Sequence, residues 1–366
     1  MNILMVSNEF PPSVGGVQTH VFELSRALVQ LGHRVRVLCR RRDNSTPASE
    51  QLQGIEVERL SLPDNHLIYD WRLGRRLRQL IEQEGFELTH VHGMRPLRAC
   101  ARQKVPTLFT NHTSSFVRRA EHSQRTRDKM SRLLKPVASV LTPSEILAEK
   151  TRAVGYAGPI TFIPNGVDNA LFSPGPSDFR KQQGIPEDAF VIAIACRLVP
   201  VKGVRYLAQA VAEIADPRLH LVIAGDGNER AEIEQTLQHK IQNGLVHMLG
   251  AVDNAQMPDI YRAANASVLP SLMEATSIAG LEAMACGLPL IGSDVGGIPY
   301  IIRHESTGLL VDAESPQQLQ NAIERLLKRP DDCEAMGQRA LERVAAEFTW
   351  QHVAEQVLQH YQKICL

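Results

Sequence analysis

Residues 270–290, PSLMEATSIAGLEAMACGLPL, restrict the fold more than any other stretch of the chain. Just before them, Ala266-Ser267-Val268-Leu269 reads as a strand. Residues 278–285 then read as a helix on which Ile278, Leu281, Met284 and Ala285 share a face. Gly287 and Pro289 stop that helix, and Thr276 and Ser277 are its natural N-cap candidates. A strand, loop and helix in this order open the helix N-terminus onto a cleft, where free N–H groups and the helix dipole favour a phosphate. Glu274 lies in the loop and Glu282 one to two turns into the helix. Two carboxylates beside a phosphate site are costly unless they hold hydroxyls, which a nucleotide sugar offers. The plainer alternative is a capping region followed by a solvated helical glutamate.

The chain opens on the same theme. Residues 2–6 form a short apolar strand, and residues 7–14 carry Pro11-Pro12 ahead of Gly15-Gly16. Residues 17–30 have helical periodicity through Val21, Leu24 and Leu28 up to Gly32, and residues 34–39 are the next strand. This is the beginning of a doubly wound α/β domain, in which ligands collect beyond the carboxyl ends of the strands. Gly15 and Gly16 let the backbone approach a ligand closely at a helix start, which again suits phosphate, although such a pair is often a plain turn. The spacing is not GxGxxG, and Arg40-Arg41-Arg42 rather than an acidic residue follow the second strand. A dinucleotide site, and with it an oxidoreductase, is not expected.

Further strands are expected at 55–60, 88–92 and 107–111, with His90, His92 and His112 at their ends. These histidines fall on separate strands without ligand spacing, so no metal site is expected; His90 reads as a satisfied polar residue. Residues 116–135 carry Arg118, Arg119, Arg125, Arg127, Lys129, Arg132 and Lys135, interleaved with Phe116, Val117, Met130, Leu133 and Leu134. A basic amphipathic stretch of this kind can lie on an anionic membrane surface, or it can be a solvated helix face. No nucleic-acid motif or aromatic stacking platform accompanies the charge, so nucleic acid is not an expected partner.

A Pro-, Gly- and Ser-rich segment at 173–178 follows the turn IPNGVD, and the charge reverses there. Residues 1–165 hold 24 Lys and Arg against 15 Asp and Glu, a net +9; residues 166–366 hold 16 against 25, a net −9. At 366 residues the chain suits two domains. The segment MNILMVSNEF has no basic n-region, and no apolar run is long enough to span a bilayer, so a cytoplasmic protein is expected. The six cysteines lack CxxC spacing and read as buried free thiols in a reducing compartment.

The second series of strands and helices begins at residues 190–195 and runs into Arg197 and Lys202, which flank a turn at a strand end and can converge on one diphosphate. Gly225-Asp226-Gly227 is a turn, and Gly250-Ala251-Val252-Asp253 another rim loop. Residues 314–366 are largely helical, broken at Glu347-Phe348-Thr349-Trp350.

Taken in order, NEFPPSVGGVQTHVFELSRALVQLGH, IPNGVD, RLVPVKG, AGDG, the E-x7-E glutamate pair, EAMACGLPLI, SDVGGIP and FTW resemble the family-four retaining glycosyltransferases of the GT-B fold. The likeness covers essentially the whole chain and is similar, near GGVQTH, to phosphatidylinositol mannosyltransferases. It implies two Rossmann-like doubly wound domains, residues 1–168 on the acceptor side with a crossover helix at 350–366, and residues 169–349 for the nucleotide sugar, with the active site in the cleft between them. By the same resemblance Gly16, beside Gly15, offers a backbone amide to the distal phosphate of the donor, and His112 closes the first-domain side of its sugar. Arg197 and Lys202 are the diphosphate pair, Glu274 lies near the sugar hydroxyls and Glu282 on the ribose. Ile278 and Ala279, which follow Ser277, offer main-chain amides to the phosphates, and Val252 supports the base.

The implied reaction moves a sugar from a UDP- or GDP-sugar to a hydroxyl acceptor with retained configuration. The departing diphosphate helps to deprotonate the acceptor, no side chain acts as nucleophile, and no metal or other cofactor is needed. The basic first half fits an acceptor that is a lipid, lipid-linked glycan or polysaccharide precursor, at a peripheral membrane site involving Arg118, Arg119 and Arg125. Ala275, Ser277 and Tyr300 depart from the residues commonly found at these places, which leaves the sugar open. Two alternatives are a GT-B epimerase or hydrolase, which consumes donor without forming a glycoside, and a non-catalytic nucleotide-sugar-binding protein, which binds donor without turnover.

Overall fold

The structure, a computed structural model, describes residues 1–13, 15–43, 45–112 and 114–365. Leu366, the last residue of the expected crossover helix, and Val14, in the loop before Gly15, lie outside the described residues. The chain divides into two compact units, Met1–Gly166 with Trp350–Leu366, and Val167–Thr349.

The first unit is built on eight strands: β1 (Asn2–Ser7), β2 (Arg34–Arg40), β3 (Ser49–Leu52), β4 (Ile55–Leu60), β5 (Leu88–His92), β6 (Thr107–Thr110), β7 (Ser139–Thr142) and β8 (Ile160–Phe162). Their spatial order is β3-β4-β2-β1-β5-β6-β7-β8, parallel throughout except for β3 against β4. Ile3, Leu4, Met5 and Val6 are buried because helices cover both faces, as a continuous apolar run in a parallel strand requires. The helices are α1 (Gly16–Gln30), α2 (His66–Glu84), α3 (Met94–Cys100), α4 (Ser114–His122), α5 (Gln124–Leu134), α6 (Glu145–Ala153) and the terminal helix beginning at Trp350.

Strand β3 is an addition to the expected pattern. It is polar, and its turn, Gln53-Gly54, lacks the Asn or Asp that usually announces a two-residue hairpin, although both residues adopt positive φ.

The second unit is a six-stranded, wholly parallel sheet: β9 (Phe190–Ala195), β10 (Leu219–Ala224), β11 (Val246–Gly250), β12 (Ala266–Leu269), β13 (Leu290–Ser293) and β14 (Gly308–Val311). The order is β11-β10-β9-β12-β13-β14. Val191 and Ala193 enter one core and Ile192 and Ile194 the other, the alternation of a strand covered on both faces.

Each sheet therefore has one place where the strand order reverses, between β1 and β5 in the first unit and between β9 and β12 in the second. Loops leaving two such strands diverge to opposite faces and leave a crevice beyond their carboxyl ends, where doubly wound proteins hold ligands. The described helices include none long and apolar enough to cross a membrane.

Two expectations are corrected, and of the two readings of residues 116–135 the solvated face holds. Residues 116–135 form two helices, separated at Ser123, whose side chain accepts from the Thr126 amide. Phe116, Val117, Met130 and Leu134 are buried in the first unit while Arg118, Arg119 and Arg125 face solvent, so the buried apolar residues offer a bilayer nothing to insert. His90 and His92 share β5 rather than lying on separate strands. Of the six free cysteines, Cys365 is exposed and Cys196 only partly buried.

Candidate active site

In the second unit, the loops leaving β9, β12 and β13 are locked together through their backbones. Pro200–Lys202 forms a single 3-10 turn that ends at Gly203, where φ is 64°. A methyl group on Gly203 would fall 2.0 Å from the Pro270 carbonyl oxygen, so only glycine lets the two loops touch. Leu272 N–H donates to the Val201 carbonyl at 2.9 Å across the same contact. Gly296 has a φ of 60° and lies against the Glu274 carbonyl, which accepts from Gly297 N–H at 3.0 Å.

This framework fixes Glu274 beside Lys202. The Lys202 ammonium donates to Glu274 Oε2, and Ser271 Oγ donates to the same oxygen at 3.1 Å. Burial presses Lys202 towards its neutral form, but the Glu274 carboxylate outweighs that and holds its pKa above the ordinary lysine value. Arg197 is exposed, and its charge is close enough to act on Lys202 in the opposite sense.

The helix Ile278–Ala285 starts at Ser277, whose hydroxyl accepts from Gly280 N–H at 3.2 Å. That cap leaves the amides of Ile278 and Ala279, both half-buried residues, for another acceptor. Glu282 is buried in the second turn. Tyr261 supports the helix by donating to the Ala279 carbonyl at 3.2 Å; burial and the nearby Glu282 carboxylate keep its phenol protonated. Val252, half-buried beyond β11, packs on the core of this unit.

In the first unit, α1 begins at Gly16 with no side-chain cap from Gly15. A methyl group on Gly16 would meet nothing within 4 Å, so the helix start is uncrowded on its Cα side.

Behind that helix end four histidines gather. His92 Nδ1 lies 2.9 Å from His112 Nε2, and His20 Nδ1 lies 2.8 Å from Asn165 Oδ1. His90 is held at both nitrogens, by the Tyr361 hydroxyl and by Thr110 Oγ1, each at 2.6 Å. The His20 ring meets His112 edge-on at 4.4 Å between centroids and Trp350 at 5.1 Å. Burial lowers the pKa of all four imidazoles, His20 to about 4, and the neighbouring histidines lower those of His90, His92 and His112 further. The cluster is neutral at pH 7.

Neutrality and the network together assign a tautomer. His92 Nε2 is buried without a hydrogen-bond partner. An orphaned N–H costs more to bury than an orphaned acceptor, so the His92 proton sits on Nδ1 and is donated to His112 Nε2. His112 then carries its own proton on Nδ1. His20, His92 and His112 also bring one nitrogen each within 4.8 Å of one another, a spacing that a metal ion can use, so sequence separation was no argument against a shared ion.

Residues 14–171 match the family described as Glycosyltransferase Family 4, and residues 177–343 that described as Glycosyl transferases group 1. The chain belongs to the family 4 glycosyltransferases, with the GT-B fold. It is 28% identical over 378 residues to the fission yeast (Schizosaccharomyces pombe) phosphatidylinositol N-acetylglucosaminyltransferase gpi3 subunit, covering 99% of this chain and 80% of that one. Among solved structures it resembles sucrose-phosphate synthase from Thermosynechococcus elongatus, with a TM-score of 0.87, 27% identity and 99% coverage of both chains. The Anabaena protein Alr3699/HepE, solved in complex with UDP-glucose, is 20% identical with a TM-score of 0.83, over 99% of this chain and all of that one.

In this glycosyltransferase the second-unit residues singled out from the sequence, Arg197, Lys202, Glu274, Ser277, Ile278, Ala279 and Glu282, all stand on the loops and helix that follow β9 and β12. Sequence reading missed His20, Asn165 and Tyr361. His20 did carry a signal: it stands four residues before Leu24, on the stripe of α1 that faces the core. Asn165 and Tyr361 are joined to the cluster only by folding.

Proposed function

We infer that the protein transfers a sugar from a nucleoside-diphosphate donor to a hydroxyl acceptor with retention of anomeric configuration and without a metal ion. The Lys202–Glu274 pair beside the uncapped amides of Ile278 and Ala279 carries this reading. Arg197, Lys202 and those amides would take up the charge that develops on the departing diphosphate, and they are already in place before the bond breaks. Glu274 is engaged by Lys202 and Ser271, which suits a carboxylate that orients sugar hydroxyls better than one that attacks carbon. Glu282 would accept from the ribose, Val252 would support the base, and Gly15-Gly16 would approach the distal phosphate. His112, with its proton on Nδ1, would donate to an oxygen of the sugar. No nucleophilic side chain is required if the leaving diphosphate takes the acceptor proton on the same face.

The UDP-glucose bound by the Anabaena protein supports a uridine donor as the first to test. The name of the fission yeast relative supports a lipid acceptor. A thermal-shift panel of UDP, GDP, ADP and their sugars, with and without magnesium, tests the donor side. A selective shift that does not depend on magnesium is expected. No shift with any nucleotide would overturn the reading, and donor consumed without glycoside product would replace it with a hydrolase or epimerase.

A further inference from the structure

Helix α2 buries Tyr69, Leu73, Leu77 and Leu80 in the core of the first unit, as its periodicity requires. Its opposite side is unusual. Leu67 is 70% exposed, Trp71 62% and Ile68 45%, three of the five exposed large apolar side chains among the described residues, all within the first turns of one helix. At 100° per residue they share a face with Arg72, Arg75 and Arg78, which are also exposed. The Arg75 guanidinium lies over the Trp71 ring at 5.9 Å.

The turn that carries this patch is firmly made. Asn65 Oδ1 accepts from the amides of Leu67 at 3.0 Å and Ile68 at 3.2 Å, which closes the helix N-terminus. The apolar side chains are thus displayed on a formed element that is anchored from below.

A tryptophan and two aliphatic residues rimmed by arginines match the water–bilayer boundary. Apolar groups enter the acyl region, the indole sits at headgroup level, and the arginines extend to phosphates. Arg98 and Arg102 add positive charge near Asp70 of the same helix, within a half-chain of net charge +9. The acidic neighbours are paired: Asp70 contacts Arg98 at 3.6 Å, Asp64 contacts Arg40 at 2.8 Å, and Glu82, on the same face nearer the end of the helix, contacts Lys104 at 3.9 Å.

We propose that the Leu67–Ile68–Trp71 face of α2, with Arg72, Arg75 and Arg78, docks the protein on an anionic phospholipid bilayer. It deepens the lipid-acceptor reading above by naming the surface that meets the lipid, and it replaces residues 116–135 in that role. The arginines set the preference for anionic lipid, and the apolar trio resists release by salt.

The chain contains two tryptophans, and Trp350 is buried, so Trp71 reports its own environment. The whole 366-residue chain is mixed with vesicles of phosphatidylcholine, with or without phosphatidylglycerol, and followed by tryptophan emission and co-sedimentation. Anionic vesicles are expected to blue-shift the emission and sediment the protein; neutral vesicles are expected to do neither. Leu67→Ser with Trp71→Ser should abolish sedimentation. Arg72→Ser with Arg75→Ser should weaken it roughly tenfold or more, and Arg118→Ser with Arg119→Ser and Arg125→Ser should leave it unchanged. Nucleotide thermal shifts on the same variants, expected to match the wild type, separate failure of this proposal from failure of the donor reading. Absence of a blue shift and of sedimentation with anionic vesicles overturns it. So does a concentration-dependent dimer that shields Trp71 without lipid, which would make the face a contact between copies.

Discussion

His92 decides which nitrogen of His112 carries a proton, because its own Nε2 is buried without a partner and its Nδ1 faces His112 at 2.9 Å. The two residues meet through the parallel register that sets His92 opposite Thr110, two positions before His112. An asparagine at 92 can place an amide N–H where Nδ1–H stands; a leucine cannot. His92→Leu is therefore expected to lower kcat by roughly ten- to a hundredfold, the cost of leaving one buried polar group unpaired, with nucleotide binding unchanged. His92→Asn should restore most of the loss. Nitrogen NMR should show His112 protonated on Nδ1 in the wild type and the asparagine variant only. Equal activity of the two variants would remove His92 from any positioning role. At this scale the sequence displayed the residue types but not the cluster, since nothing in the spacing of residues 20, 90, 92, 112, 165 and 361 relates them.

The helices differ in how far their pattern could be read. Residues 278–285 were legible because an N-cap, an apolar face and a Gly-x-Pro stop agree on one element. Helices α4 and α5 were legible as amphipathic, and of the two readings left open for them the solvated basic face is the one the structure shows. Periodicity separates two faces of a helix, and only packing decides whether the apolar one is covered. Helix α2 shows the converse, since it has more apolar residues than its buried stripe can use, and the surplus stays exposed. Glycines make the same distinction testable. Gly16 has no neighbour in the way of a side chain, whereas Gly203 combines a positive φ with the Pro270 carbonyl. Gly203→Ala should destabilise the second unit by about 1–3 kcal/mol in denaturant unfolding and weaken nucleotide binding. Gly16→Ala should keep wild-type stability to within about 1 kcal/mol while weakening donor binding. Equal stability of the two variants would contradict the proposed interlocking of the loops.

At the scale of the whole molecule, the two units should respond differently to acid. His20, with a native pKa of about 4 against an ordinary value of 6.5, is neutral when folded and charged when unfolded between those values. The unfolded chain then binds more protons, so stability falls as pH drops through this window, by roughly 3 kcal/mol for His20 alone when the window is fully crossed. His90, His92 and His112 act in the same direction. All four belong to the first unit, as do both tryptophans, while in the second unit only His220 and His247, also lowered by burial, act in this direction among the described residues. Carboxylates such as Glu56, held low by hydrogen bonds from Arg34 against the cost of burial, lose their contribution only at more acid pH. Between pH 7 and pH 5 the unfolding midpoint followed by tryptophan emission should therefore fall markedly, while nucleotide-induced stabilisation of the second unit persists. A midpoint independent of pH in this range would show that the cluster is not neutral in the folded protein.

The sequence by itself determined the alternation of strands and helices, the turns between them and the spacing of the two glutamates, because these depend on neighbours a few residues apart. Strand order, the two crevices, the Lys202–Glu274 pairing and the histidine cluster were decided only by the tertiary structure. Each joins residues tens to hundreds of positions apart, and sheet register, not local pattern, brings them within hydrogen-bond reach.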